Sequence, residues 1–162
     1  MRKYVVVLLV LAVAAAISCK GGQGVGDPNS MFVSASNQSL AKIPVKGFGY
    51  KSSTLPPQEW DKWATAAAPV VKEIITKLPD GYVLQVTGHA DSRGPEERVG
   101  AKPGNLKISD DRAKVVFNSL KKKGIDSPKM TYKGIGSSET TGECGSTDPC
   151  QRRVTFKVVP KK

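Results

Sequence analysis

Apolar positions along the chain fall into four short alternating stretches separated by two longer ones of helical period. Residues 42–50, "KIPVKGFGY", carry Ile43, Val45, Phe48 and Tyr50 in the spacing of a strand with a glycine-associated bulge. "SSTLPP" then breaks the strand and places proline at the edge of a helix. That helix keeps Trp60, Trp63, Ala67, Val70, Val71, Ile74 and Leu78 on one stripe. Pro69 conflicts with it, because an internal proline deletes a backbone hydrogen bond, so a kink or two abutting helices are expected there. "PDG" at 79–81 stops the helix, and residues 82–87 alternate Tyr82, Leu84 and Val86 against Val83, Gln85 and Thr87, a strand with one buried face. A second helix is expected over 109–123. Ser109 would be its N-cap, Asp110 and Asp111 its first turn, Ala113, Val116, Phe117 and Leu120 its stripe, and Gly124 its stop. "KMTYKGIG" and "RRVTFKVVP" close the chain as two strands. The order β-α-β-α-β-β implies an α+β fold, a mixed-sheet sandwich with helices packed on one sheet face. A helical crossover would make the first two strands parallel.

The N-terminus changes what counts as the folded protein. Arg2 and Lys3 precede an apolar run over 4–17, with small residues and Cys19 directly after, the layout of a secretory signal. The run is short for a transmembrane span, which needs about 20 residues. "AAAISC" resembles a lipobox, in which the chain is cut before a cysteine that then carries acyl chains such as palmitate; Ile17 departs from the small residue usual at that place. The expected divisions are a signal peptide over 1–18, a lipidated Cys19 with a flexible tether over 19–41, and a domain over 42–162. Residues 20–40 are rich in Gly, Ser and Asn and show no sustained period. Fully extended, such a tether reaches about 70 Å.

The formal charge is +11, and +9 once the signal is gone, which favours anionic partners. Export, few aromatics and no long basic tract argue against nucleic acid. Cys144 and Cys150 form an even pair around a Gly-Ser-Thr-Asp-Pro spacer, read as a disulfide that fixes how the chain enters its last strand. Two thiolates and the distant His89 do not make a zinc site, and no metal or cofactor is expected.

The candidate chemistry lies in residues 88–116, where Asp91 sits in a Gly-rich turn and Arg112 near a helix start. Four segments here and around it, "FGYKSSTLPP", "VTGHADSRG", "NLKISDDRAKVV" and "KGIGSSE" with "QRRVTFKV", resemble the OmpA-like C-terminal peptidoglycan-binding domain, over roughly residues 42–160. The resemblance implies a non-enzymatic binder of the diamino acid in peptidoglycan stem peptides, within a peptidoglycan-associated-lipoprotein-like protein. On that reading Asp91 accepts the ligand ammonium and Arg112 pairs with a carboxylate. Asn105 and the Gly88, His89, Ala90 turn shape the pocket, and Ala90 stands where the family usually has Thr. A fixed carboxylate and a fixed guanidinium suit a zwitterion. The same two residues could also be a plain surface ion pair, and His89 a turn histidine bonded to backbone. A hydrolase would need a nucleophile or metal beside His89 and Asp91, and none is visible.

Between Asp91 and Asn105 the loop is longer than the family's usual connection, and could be a rim, a lid or inert; Arg93, Arg98 and Lys102 could meet peptide carboxylates. Strand parity aims Arg152 toward the helices as a secondary pocket candidate and leaves Arg153 at the surface or an edge. The expected place is the cell outer membrane, lipid-anchored, with the domain in the periplasm and envelope proteins as further partners. The competing reading is a surface adhesin that binds acidic glycans or host matrix through its positive charge.

Overall fold

A computed structural model describes residues 27–125 and 128–162. The signal peptide and Cys19 therefore lie outside the described residues. Three helices, α1 (Pro28–Ala41), α2 (Pro57–Thr76) and α3 (Asn105–Lys122), accompany three strands, β1 (Tyr82–Gly88), β2 (Met130–Gly134) and β3 (Val154–Pro160), with a short 3-10 turn at Pro149–Gln151. The sheet order is β2-β1-β3. β1 runs parallel to β2, joined through α3, and antiparallel to β3. The α+β class is as expected. No helix among the described residues is long and apolar enough to cross a membrane.

One apolar cluster explains the layering. Leu84 and Val86 of β1, Val154, Phe156 and Val158 of β3, and Met130 of β2 meet Val71, Ile74 and Ile75 of α2 and Ala113, Val116 and Leu120 of α3. The two tryptophans belong to this packing. Trp63 stacks on Phe156 at 5.4 Å and donates its indole N–H to the Ile43 carbonyl, with Trp60 stacked behind it. α2 runs unbroken through Pro69, which is exposed, so water can satisfy the carbonyl that proline leaves unpaired.

Two expectations about the first fifty residues are corrected. Residues 42–50 form no strand; only Val45 bridges Val154, through mutual bonds of 2.8 and 2.9 Å. The glycine-rich, proline-broken segment leaves β3 after that single pair. Residues 28–41, expected as tether, are helical. Asp27 caps the Ser30 N–H and Pro28 occupies the first turn. Leu40 enters the core with Phe32 and Val33 packed against it, and beside them the Asn37 amide donates to the Val158 carbonyl at 3.1 Å and accepts its N–H at 2.7 Å. A side chain thus pairs with the outer edge of β3 as a neighbouring strand would. Since Val45 meets Val154 and Asn37 meets Val158, α1 lies along β3 and its N-terminus points past the Pro160 end.

Candidate functional site

Glycines set the approach of α3 to the sheet. Gly88 and Gly134 face each other across β1 and β2, and a Cβ on either would collide with the α3 backbone at Ser109 or Asp110. This close crossing carries Arg112, three residues further on, over the C-terminal end of β1. Gly88 therefore serves the packing of α3 on the sheet. α3 also starts earlier than expected, at Asn105 with Gly104 as cap. Its free N–H groups are met by loop carbonyls, Asn105 N to Pro95 O at 2.9 Å and Leu106 N to Glu96 O at 3.1 Å. Ser109 is fully buried and its hydroxyl accepts the Gly136 N–H at 2.8 Å instead of capping. Arg112 thus sits inside the helix, and the expected help from a helix N-terminus does not apply to it.

Arg112 is 1% exposed and donates to three carbonyls, Nε to Ser52 at 2.8 Å, Nη1 to His89 at 2.8 Å and Nη2 to Gly49 at 2.9 Å. These bonds stitch the 49–52 turn to the end of β1. Lys51, between two of the pinned carbonyls, has φ 52°, a left-handed conformation unusual for a side-chain-bearing residue. Burial first, and the Arg152 charge second, push the Arg112 guanidinium down to about 10, so it remains a cation at neutral pH.

Asp91 does not pair with Arg112. Its carboxylate, 3% exposed, accepts Arg93 Nη2 at 2.8 Å and Arg152 Nη1 at 3.0 Å on Oδ2, and Arg93 Nε at 3.1 Å on Oδ1. The Arg93 backbone N–H adds a bond of 3.2 Å to Oδ1, an Asx turn. Burial alone would raise the Asp91 carboxyl, but the hydrogen bonds from Arg93 and then Arg152 outweigh it, so the group is held below its usual range. Arg152 also donates Nε to the Phe48 carbonyl at 2.8 Å.

Asp91, Arg112, Asn105 and Ala90 nevertheless share one small cavity, of about 10 Å³, with Tyr50, Lys51 and Ile108. That is room for about one water. Asn105 donates to Glu96 Oε1 at 3.3 Å. The Glu96 carboxylate accepts the Ser137 N–H and hydroxyl, so the 92–104 loop is folded back on the domain. Arg98 turns to the Gly100 carbonyl, away from the cavity.

His89 lies behind the cavity. Its Nε2 meets Thr155 Oγ1 at 2.8 Å, while Nδ1 is buried with no partner among the described residues. Burial, with the Arg153 charge adding to it, lowers His89 to about 4. Arg153 is buried, contrary to its surface expectation, and bonds Gln151 and the Glu139 carbonyl. Cys144 and Cys150 are joined as a disulfide. Its loop does more than guide the chain into β3: the Ser146 carbonyl accepts the Ser92 N–H at 2.9 Å and so braces the residue after Asp91. Sequence reasoning missed Tyr50 and Lys51 as lining residues and the Arg93 pairing. The pairing had a local signal, a donor two residues beyond an aspartate in a turn.

Comparison with known proteins follows from this geometry. A model described as the OmpA family matches residues 48–153. The OmpA-like domain of FopA1 from Francisella tularensis is 26% identical, covers 72% of this chain and 71% of that one, and superposes with a TM-score of 0.52. The peptidoglycan-associated lipoprotein from Burkholderia pseudomallei is 21% identical over 79% and 99% of the two chains, TM-score 0.56. The C-terminal domain of Helicobacter pylori MotB is 16% identical over 73% and 84%, TM-score 0.53. A search of curated proteins finds no match.

Proposed function

The chain belongs to the OmpA family, and on that premise we propose that it is a lipid-anchored envelope protein whose domain binds the diamino acid of peptidoglycan stem peptides without covalent chemistry. Its family makes it a binder and not an enzyme. The observation that carries the reading is that a buried carboxylate, Asp91, and a buried guanidinium, Arg112, line one cavity at the end of β1. Asp91 takes the ligand ammonium. Arg112 has five N–H groups, three of them directed at backbone carbonyls, and offers the others to the ligand carboxylate. Asn105 holds the loop wall through Glu96, and Ala90 forms the floor. Similarity to a peptidoglycan-associated lipoprotein supports the wall as the partner. The signal-like N-terminus supports an acylated Cys19 in the outer membrane, tethering that membrane to the wall.

Pull-down on purified sacculi tests the site. Wild-type protein is retained, and Asp91→Ala loses about 2–5 kcal/mol of binding because the ligand charge is left desolvated and unpaired. The adhesin reading has its own feature, a groove of about 510 Å³ on the sheet face away from the helices, bordered by Lys133, Lys161 and Lys162. If it holds, neutralising those lysines abolishes binding while Asp91→Ala changes nothing. Alkyne-palmitate labelling tests the anchor: label must appear in wild type and vanish in Cys19→Ala.

A further inference from the structure

The geometry points to Arg93 as an internal occupant of the ammonium seat on Asp91, a cation that the ligand must displace and that therefore sets affinity. This rests on the peptidoglycan reading of the site. A carboxylate offers about four lone-pair positions. Asp91 already accepts four donors: the Arg93 N–H and Nε on Oδ1, and Arg93 Nη2 and Arg152 Nη1 on Oδ2. No acceptor remains for an incoming ammonium, so binding means exchange.

The four donors differ in how easily they leave. Arg152 has a side chain only 10% exposed and is tied a second time to the Phe48 carbonyl. The Arg93 backbone N–H is fixed by the turn. The Arg93 side chain is 41% exposed and rests on the face of Tyr50, its Cζ 4.1 Å from the ring centroid. It can rotate to solvent without leaving a buried donor unpaired. Arg112, Ala90, Asn105 and Ile108, the buried part of the lining, cannot make room, so space for a ligand opens on the exposed side, where Arg93 rests on Tyr50. A volume of about 10 Å³ does not admit an aminoalkyl chain, so side chains at its exposed edge must move for a ligand to enter.

Exchange of one cation for another keeps Asp91 neutralised throughout. It also makes the site selective: a neutral side chain cannot compete with a bidentate guanidinium, whereas an ammonium can. Only the Arg93 end of the pair reaches solvent, the Asp91 end being buried, and a ligand that no longer has to displace it should bind about fivefold tighter.

The test is calorimetric titration of the protein with the soluble tripeptide L-alanyl-γ-D-glutamyl-meso-diaminopimelate, using wild type, Arg93→Ala, Arg93→Gln and Asp91→Ala, with circular dichroism as a check on folding. The Arg93 Nε–H resonance is followed in parallel. Tighter binding in both Arg93 variants, loss of binding in Asp91→Ala, and a shift of the Nε–H resonance on saturation support the inference. Equal or weaker binding in the Arg93 variants, with Asp91→Ala still defective, overturns it and leaves the site reading intact. Unchanged binding in Asp91→Ala overturns both.

Discussion

The two sides of the cavity hold their charges by different means. On the Arg112 side a buried cation is fixed by three neutral carbonyl dipoles from separate segments, Gly49, Ser52 and His89. On the Asp91 side a buried anion is fixed by two other side-chain cations, one of them at the surface. Dipoles of the main chain cannot be exchanged for a ligand without unfolding something, whereas a surface arginine can. The Arg112 side is therefore built into the architecture, and the Asp91 side holds the contact that the proposed ligand would replace.

The sharpest way to break this contrast is Arg112→Ala. It leaves three carbonyls short of a donor, at about 1–3 kcal/mol each where they stay dry. A loss of about 4 kcal/mol in denaturant unfolding is expected, together with loss of ligand binding. Asp91→Asn, by comparison, should stay within about 1 kcal/mol of wild-type stability, because Arg152 keeps its bond to Phe48. Equal stability losses in the two variants would erase the distinction.

Acid provides a second test, since His89 stands behind Arg112. Its folded value of about 4 lies below the ordinary 6.5, so the unfolded chain takes up the proton first. Stability from the neutral ring is full above about pH 6.5 and declines as pH falls toward 4, by about 3 kcal/mol in all. Asp91 is also depressed, so its contribution is lost at lower pH, through the acid side of the carboxylate range. Chemical unfolding from pH 7 to 3 should show the earlier decline removed in His89→Gln and the later one retained. A single decline unaffected by that substitution would contradict the assignment.

A smaller effect separates the two sides again. The disulfide loop braces Ser92 and not the 49–52 turn. Reduction of Cys144–Cys150 should cost about 2 kcal/mol of stability. Hydrogen exchange should then quicken at Ser92 more than at Ser52.

The helix-facing strands were legible because Leu84 and Val86 alternate within a run bounded by Gly, and α3 because Ala113, Val116 and Leu120 repeat at helical spacing. The start of α3 was not, because its partners, the Pro95 and Glu96 carbonyls, come from a loop whose path no local pattern encodes. Ser109 has the chemistry of a cap and is used for something else. α1 escaped notice because its apolar contacts, Phe32, Val33 and Leu40, are few and set among Ser and Asn, and part of its docking rests on one asparagine. For the candidate site, the sequence singles out Asp91 and Arg112, which line one cavity, but not the partners that hold them. Which carbonyls surround an arginine is decided by tertiary placement, here by the glycine pair that lets α3 close on the sheet.

The Asn37 clasp on β3 also has a mechanical side. On the proposed function, tension entering through the residues before Asp27 would arrive at the Pro160 end of the sheet, while a ligand held by Asp91 and Arg112 would be pulled from the Gly88 end. Force then runs lengthwise through α1 and β3. The bonds at Val158 and Val154 are strained together in shear and are not peeled one after another, which is the orientation in which a short set of hydrogen bonds resists the greatest pull.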